Sequence, residues 1–246
     1  MVQAKVPDDL PWTPPSRGAS VAVNAPEQLV LALGHEVSFA REDVLEGSSN
    51  AAALALIERW PDWPARSVVL IGPEGSGKSH LAEIWARKAG GQRLAAAMLD
   101  QAAVPAALAT GAVALEDIAE GVDEVALFHL LNLAREQAAY LLLSARETPV
   151  RWPIRLPDLA SRVRALPIIE LTAPDDALLR AVMIKLFADR QLAVDESLIG
   201  YLITRIERSF AAARAVVALL DREALRQQRP VTRTLAAELM PVINGG

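Results

Sequence analysis

One segment decides the fold of this chain: Val68-Val69-Leu70-Ile71-Gly72-Pro73-Glu74-Gly75-Ser76-Gly77-Lys78-Ser79. Its second part matches the pattern G-x-x-x-x-G-K-[ST], in which glycines let backbone N–H groups wrap a phosphate. The residue frequencies of this chain predict about 0.0008 chance matches to that pattern. The apolar run before the glycines predicts a buried strand, and the periodicity after them predicts a helix. The segment therefore predicts a nucleotide-phosphate site between a strand and a helix.

The residues of this loop have separate predicted roles. Lys78 is expected to reach the β- and γ-phosphates, and the Ser79 hydroxyl is expected to bind Mg²⁺. The N-terminus of the following helix adds partial positive charge. The predicted nucleotide-binding set comprises Gly72, Pro73, Glu74, Gly75, Ser76, Gly77, Lys78, Ser79 and His80.

Strand and helix patterns alternate on both sides of the loop. Apolar and β-branched runs predict strands at 68–71, 94–98, 112–116, 140–144 and 167–171. Amphipathic patterns predict helices at 50–60 (capped by Ser48 or Ser49), 78–89, 122–138 and 156–163. This alternation predicts a mainly parallel sheet with helices on both faces.

Strand patterns stop after residue 172, and only helical patterns follow. Four helices are predicted, at 174–190, 195–205, 209–227 and 231–240. We therefore predict an α/β domain at 36–171 and a small all-helical domain at 172–241. The proline-rich residues 1–26 predict a flexible leader. A short apolar segment (27–35) and a tail (242–246) complete the chain.

Composition excludes several classes of protein. With 246 residues, 52% of them hydrophobic and 22% charged, the chain is not globally disordered. The lack of cysteine excludes a disulfide scaffold and thiol catalysis. A net charge of −5 argues against a basic nucleic-acid coat. No apolar run reaches the roughly 20 residues that a membrane span needs, so we expect a soluble, cytoplasmic protein.

An acidic pair, Glu116-Asp117, ends the strand predicted at 112–116. An apolar strand that ends in acids is typical of a Walker B element. Glu116 would then bind Mg²⁺ or its water, and Asp117 would orient the attacking water. The alternative is an ordinary strand end with solvated acids. Glutamate is longer than the aspartate usual at the first position, which puts the metal geometry in question.

Arginines are concentrated in two regions. Residues 151–164 hold four arginines against one aspartate, in a position that favours phosphate sensing over a solvated basic face. Residues 201–233 hold seven arginines, of which Arg214 could reach a phosphate. Contact with a DNA backbone is one alternative there, and a solvated helix face is the interpretation that we favour for most of them.

Together these segments resemble the AAA+ family, and within it the DnaA branch, over about residues 27–241. The matching landmarks are Phe39 with residues 46–50, the loop Gly72–Ser79, Leu115-Glu116-Asp117, the strand end at Ser144, and Asp158-Leu159-Ala160-Ser161-Arg162. The first landmark is similar to the segment that holds the adenine base in the family. The resemblance implies an AAA+ P-loop domain with a parallel sheet, followed by a helical lid.

Within the DnaA branch, the chain most resembles the Hda/HdaA group, which inactivates the DnaA initiator. Residues 28–33 look like a bacterial sliding-clamp-binding motif, and we expect no DNA-reading domain after the lid. The 158–162 string is Hda-like, and the Arg-rich, Ala-rich composition resembles the alphaproteobacterial form. The predicted clamp-binding residues are Gln28, Leu29, Leu31 and Leu33. The alternative is an edge strand, or packing of this segment on the domain.

The resemblance implies a regulator of replication initiation. Bound to the DNA-loaded clamp and with ADP in its own site, it would promote hydrolysis of DnaA-bound ATP through Arg162 and prevent over-initiation. DNA contact would be indirect through the clamp, and homo-oligomerisation stays open. The preference between ADP and ATP, each bound with Mg²⁺, also stays open.

Departures from the family pattern imply weak or absent intrinsic ATPase activity. Ala211 occupies the position of the usual sensor-2 arginine, for which Arg214 is the candidate substitute. The 144–146 segment does not reproduce the initiator's sensor 1, and the acidic pair begins with Glu116. The alternative function is an autonomous AAA+ ATPase such as a helicase loader or a DnaA-like initiation factor. A P-loop kinase is less well supported.

Overall fold

The computed structural model describes residues 44–118 and 122–244. The predicted leader, the predicted clamp-binding segment at 27–35 and Phe39 lie outside the described residues. Among the described residues, no helix combines the length and the apolar character that crossing a bilayer requires.

A five-stranded parallel sheet carries the fold. Its strands are β1 (Ser67–Ile71), β2 (Gln92–Ala95), β3 (Ala112–Ile118), β4 (Tyr140–Ala145) and β5 (Ile168–Glu170), in the order β2-β3-β4-β1-β5. All four neighbouring pairs are parallel. The central strands read as continuous apolar runs because both of their faces are covered. The predicted α/β fold is confirmed.

Nine α-helices surround or follow the sheet in the described part of the chain. They are α1 (Ala51–Arg59), α2 (Lys78–Ala89), α3 (Val104–Ala107), α4 (Glu124–Glu136), α5 (Pro157–Arg164), α6 (Asp176–Asp189), α7 (Glu196–Ile203), α8 (Phe210–Gln227) and α9 (Arg233–Asn244). Asp123, Asp175, Asp195 and Ser209 cap four of them by accepting backbone N–H groups.

The two faces of the sheet pack against different helices. Val68 and Leu70 lie in one buried cluster with residues of α1 and α2. Val69 lies in a second cluster, on the other face, with residues of α4 such as Leu127. This arrangement follows from the alternation of side chains along a strand. Helices α6–α9 share a third cluster, centred on fully buried residues such as Phe187. The separate cluster agrees with a helical domain, whose boundaries stay a prediction.

The structure differs from the sequence predictions in three local features. The strand predicted at 94–98 ends at Ala95, and residues 96–98 form a 3₁₀ turn, because alanine has little preference for a strand. Helix α3 was not predicted, since one turn is too short to show a period. The predicted serine caps of α1 are wrong: Asn50 holds the cap position, and its Oδ1 accepts the N–H of Gly47 at 2.8 Å.

Candidate nucleotide-binding site

The phosphate loop connects the end of β1 to the first residue of α2. Gly75 and Gly77 have φ angles of 72° and 99°, in the left-handed region that favours glycine. Gly75 also lies against the start of α8, where an added Cβ would be 2.7 Å from Cβ of Ser209. The loop therefore needs glycine there for its backbone shape and for close packing.

The side chain of Lys78 folds back into the phosphate loop. Its Nζ donates to the carbonyl oxygens of Gly72, at 2.8 Å, and of Pro73, at 2.9 Å. Burial lowers the pKa of Lys78, and the charge of Arg146 lowers it further, whereas Asp117 and Glu74 raise it. An ammonium group has three donors. The two bonds found within the described residues leave one donor for a phosphate oxygen.

Ser76 supports the same interpretation of the loop. Its hydroxyl is buried and has no hydrogen-bond partner among the described residues. A buried polar group without a partner costs roughly 1–3 kcal/mol, and a phosphate oxygen at the centre of the loop would satisfy it. Ser79 and His80 lie in the first turn of α2, which follows the loop. Ser79 is exposed and His80 is half-buried. The loop therefore fits a phosphate group.

Helix α8 begins directly on the phosphate loop. The backbone N–H of Phe210 donates to the carbonyl oxygen of Gly75 at 2.9 Å, and an added Cβ on Gly77 would be 3.4 Å from the Phe210 ring. Ala211, which is predicted to hold the sensor-2 position, has its Cβ 3.2 Å from the Cβ position of Gly75. The helical part of the chain thus contacts the loop through its first residues.

Arg214 lies one turn further along α8. It is three residues after Ala211 and four after Phe210, on the face that contacts the loop. Its guanidinium is half-buried, makes no hydrogen bond or ion pair within residues 44–118 and 122–244, and has its pKa lowered by burial. An unpaired cation on this face is suited to a phosphate, and its role as the sensor-2 substitute stays a prediction.

The segment 46–50 is joined to the loop through the chain that follows β5. Ser49 O accepts the N–H of Thr172 at 3.2 Å, and the Ser48 hydroxyl donates to Asp175 Oδ2 at 3.1 Å. The adjacent Leu171 N–H donates to Ile71 O, at 2.8 Å, immediately before the loop. The predicted adenine-holding segment and the phosphate loop are therefore two connected parts of one region.

The two residues of the acidic pair have different surroundings. Glu116 is buried and forms an ion pair with Arg93. Asp117 is exposed, has a φ angle of 57°, and donates its N–H to Ser144 Oγ at 3.2 Å. Leu115 of β3 is opposite Leu143 of β4, and Ile118 is opposite Ala145, so β3 holds one extra residue between these two pairs. This extra residue marks a β-bulge at the acidic pair.

The position of Glu116 bears on the predicted magnesium site. With its carboxylate already bound by a guanidinium, Glu116 does not fit the role of a Mg²⁺ ligand. Within the described ranges there is also no group of three or more His, Cys, Asp or Glu side chains that could hold a metal ion. Ser79 fits better, since its hydroxyl is exposed beside the phosphate loop.

Arg162 is held by an aromatic ring. Its Cζ lies 5.1 Å from the centre of the Phe128 ring of α4. The side chain is half-buried and has no carboxylate partner in the part of the chain that is described. Glu124, at the start of α4, accepts the backbone N–H groups of Arg155 and Leu156, at 3.0 and 2.8 Å, and so fixes the start of α5. Arg164 is exposed.

Comparison with known proteins identifies the fold. No protein-family model matches the sequence. No curated protein sequence matches it significantly either. Among solved structures, domain III of the Thermotoga maritima replication initiation protein DnaA superposes with a TM-score of 0.65 and 14% identity, over 84% of this chain and 95% of that one. The chain has the AAA+ fold of DnaA domain III.

Other solved structures share this DnaA-type fold. AMPPCP-bound DnaA from Aquifex aeolicus superposes with a TM-score of 0.60 at 16% identity, over 82% of this chain and 71% of that one. A RuvB variant from Thermotoga maritima has a TM-score of 0.60 at 17% identity, over 78% of this chain and 67% of that one. At these identities the likeness concerns the fold.

Several residues that shape the site were not predicted from the sequence. They are Arg93, Phe128, Glu124, Ser209 and Phe210. Each acts through a partner more than 20 residues away in the sequence. Of these residues, only Ser209 is indicated by the sequence, because a serine directly before a long amphipathic pattern predicts a helix cap.

Proposed function

We propose that this chain binds an adenine nucleotide in the loop Gly72–Ser79. The observation that carries the proposal is the loop itself, where a buried lysine and a buried, unsatisfied serine hydroxyl surround the space for a phosphate. Two proteins of similar fold hold adenine nucleotides: Aquifex aeolicus DnaA holds AMPPCP, and the FIGL-1 AAA domain holds ADP.

Several residues of the chain would together bind the nucleotide. Lys78 and the N–H groups at the start of α2 would bind the phosphate oxygens. Ser76 would donate its free hydroxyl, and Arg214 would reach the phosphates from α8. Ser79 would contribute a hydroxyl to Mg²⁺, which supplies charge neutralisation on the phosphates when it is bound.

We further propose that the chain is a DnaA-related regulator that acts on the nucleotide of a partner. Arg162 would be the acting group, because its guanidinium is half-exposed and carries no carboxylate partner among the described residues. Guanidinium is permanently charged and binds phosphate oxygens in a forked geometry. Helix α5 leads into β5, a strand at the edge of the sheet, where a second protein can approach.

The partners in this proposal are ATP-bound DnaA and the sliding clamp loaded on DNA. The clamp would be bound by Gln28, Leu29, Leu31 and Leu33, which lie outside the described residues. One amide followed by spaced leucines suits an extended peptide in a preformed groove. This part of the proposal depends on the sequence resemblance, and the DnaA-type fold is consistent with it.

The experiment measures the nucleotide on DnaA. DnaA loaded with labelled ATP is mixed with the clamp on circular DNA and with the ADP-bound chain, and the ADP fraction on DnaA is followed over time. We expect hydrolysis to be stimulated only when both the chain and the clamp are present. Appreciable ATP turnover by the purified chain alone, without an effect on DnaA, would instead support an autonomous AAA+ ATPase.

A further inference from the structure

A groove of about 560 Å³ lies along helix α8. Its lining includes Ala212, Ala215 and Leu219 of α8, which share one face of the helix because they are three and four residues apart. Ile206, before α8, and Ile243, in the last turn of α9, line it as well. Ala215 is exposed and Leu219 is half-buried. The small alanine side chains leave room for a second helix to approach closely.

The groove has one charged side chain at each end. Glu207 lies before the start of α8, and Arg222 lies ten residues after Ala212, which is about 15 Å further along the helix axis. Both charged residues are exposed, and within the described part of the chain neither side chain forms a hydrogen bond or an ion pair. The nearby Arg208 and Arg226, by contrast, are paired with acids of the same copy.

These two charges make the groove complementary to itself. A two-fold axis brings the same surface of two copies together, so each residue meets its counterpart's partner twice. When the two α8 helices run antiparallel, Glu207 of each copy faces Arg222 of the other. Ala215 is eight residues after Glu207 and seven before Arg222, so it lies next to the axis, where a small side chain is needed. A parallel arrangement would place like charges together, which is unfavourable.

We propose that two copies of this chain associate through these grooves as an antiparallel dimer. The contact closes on itself, so it produces dimers and not filaments. Burial of the apolar lining drives the association, and the two Glu207–Arg222 pairs set its orientation. One helix face is a small interface, so we expect a weak, reversible dimer. The groove includes neither Arg162 nor the phosphate loop, and the dimer does not depend on the nucleotide proposal.

The test is sedimentation equilibrium of the full chain at low salt, without added nucleotide. Glu207→Arg and Arg222→Glu should each weaken association at least about tenfold, because both ion pairs become like-charge contacts. The double variant that carries both changes should associate like the wild type, since the charges are only exchanged. An equimolar mixture of the two single variants should also associate, because every arginine at the groove ends then faces a glutamate.

Ala215→Glu tests the centre of the contact. It places two carboxylates beside the two-fold axis and should abolish association, whereas the matched control Ala188→Glu, at an exposed position of α6 outside the groove, should leave it unchanged. Circular dichroism checks that each variant is folded, and the charge variants decide if Ala215→Glu is not. A wild type that stays monomeric at roughly 100 µM would overturn the proposal. Single charge variants that associate like the wild type, or a mixture of them that does not recover association, would also overturn it.

Discussion

Replacing Gly75 by alanine should separate the helical part of the chain from the phosphate loop. Gly75 has a φ angle of 72°, and an added Cβ would be 2.7 Å from Ser209 Cβ and 2.9 Å from Ser209 Oγ. Gly111 provides a matched position, because its φ angle is 76° and nothing lies within 4 Å of its Cβ position. The two substitutions therefore share backbone strain and differ in the clash.

The expected losses of unfolding free energy follow from the backbone strain and the steric clash. An alanine forced into the left-handed region costs roughly 1–2 kcal/mol, which is the whole effect expected for Gly111→Ala. Overpacking costs roughly 1–3 kcal/mol more, so Gly75→Ala should lose about 2–5 kcal/mol of unfolding free energy. Adding Ser209→Gly should recover most of the clash energy, because only the looser contact with Ala211 Cβ, at 3.2 Å, would remain. Glycine at a helix cap itself costs only about a few tenths of a kcal/mol.

Urea unfolding followed by circular dichroism measures these differences, and the double mutant gives the coupling between the two positions. ADP affinity measured on the same samples reports whether α8 has been displaced from the loop. Equal losses for Gly75→Ala and Gly111→Ala, or no recovery on adding Ser209→Gly, would refute the contact between the loop and α8.

Three further predictions concern binding and activation. Lys78→Ala should weaken ADP binding by at least about tenfold in calorimetry, because a charged hydrogen bond to phosphate is lost, while the helix signal is kept; unchanged affinity would contradict the phosphate-loop assignment. Arg162→Ala should keep ADP and clamp binding but stimulate the hydrolysis of DnaA-bound ATP about 10³-fold less. Arg162→Lys should be nearly as poor a stimulator. If only Arg164→Ala loses this stimulation, Arg164 and not Arg162 is the acting residue. Gln28→Ala with Leu31→Ala should abolish clamp binding in a pull-down and leave the thermal midpoint unchanged; a large drop in the midpoint would mean that this segment packs on the domain.

The sequence was sufficient for features encoded by neighbouring residues. The phosphate loop and β1 are contiguous, and the alternation of strands and helices is a repeated local pattern, so the fold class followed directly. The end of β2 at Ala95 could not be located, because an alanine-rich run favours neither strand nor helix strongly. The four helices after residue 172 were predicted because each carries an apolar face of ordinary length.

The arrangement of the site depended on contacts that no local pattern encodes. The pair between Arg93 and Glu116 depends on the register of β2 against β3, and shifting a strand by one residue would place either side chain on the other face. The bulge at Asp117 places a non-glycine residue at positive φ. Aspartate is enriched at positive φ, but most aspartates have negative φ, so the residue type alone does not locate the bulge. The contact of Phe210 with Gly75 exists only after the helical part has packed on the loop.

The stacking of Arg162 on Phe128 also has an entropic consequence. A free arginine side chain populates many rotamers, and fixing a side chain of this kind on binding costs roughly 0.5–1.5 kcal/mol. The ring of Phe128, 5.1 Å from the guanidinium carbon, already restricts those rotamers in the isolated chain. Much of the ordering that a phosphate would otherwise impose on Arg162 is therefore complete before any partner arrives.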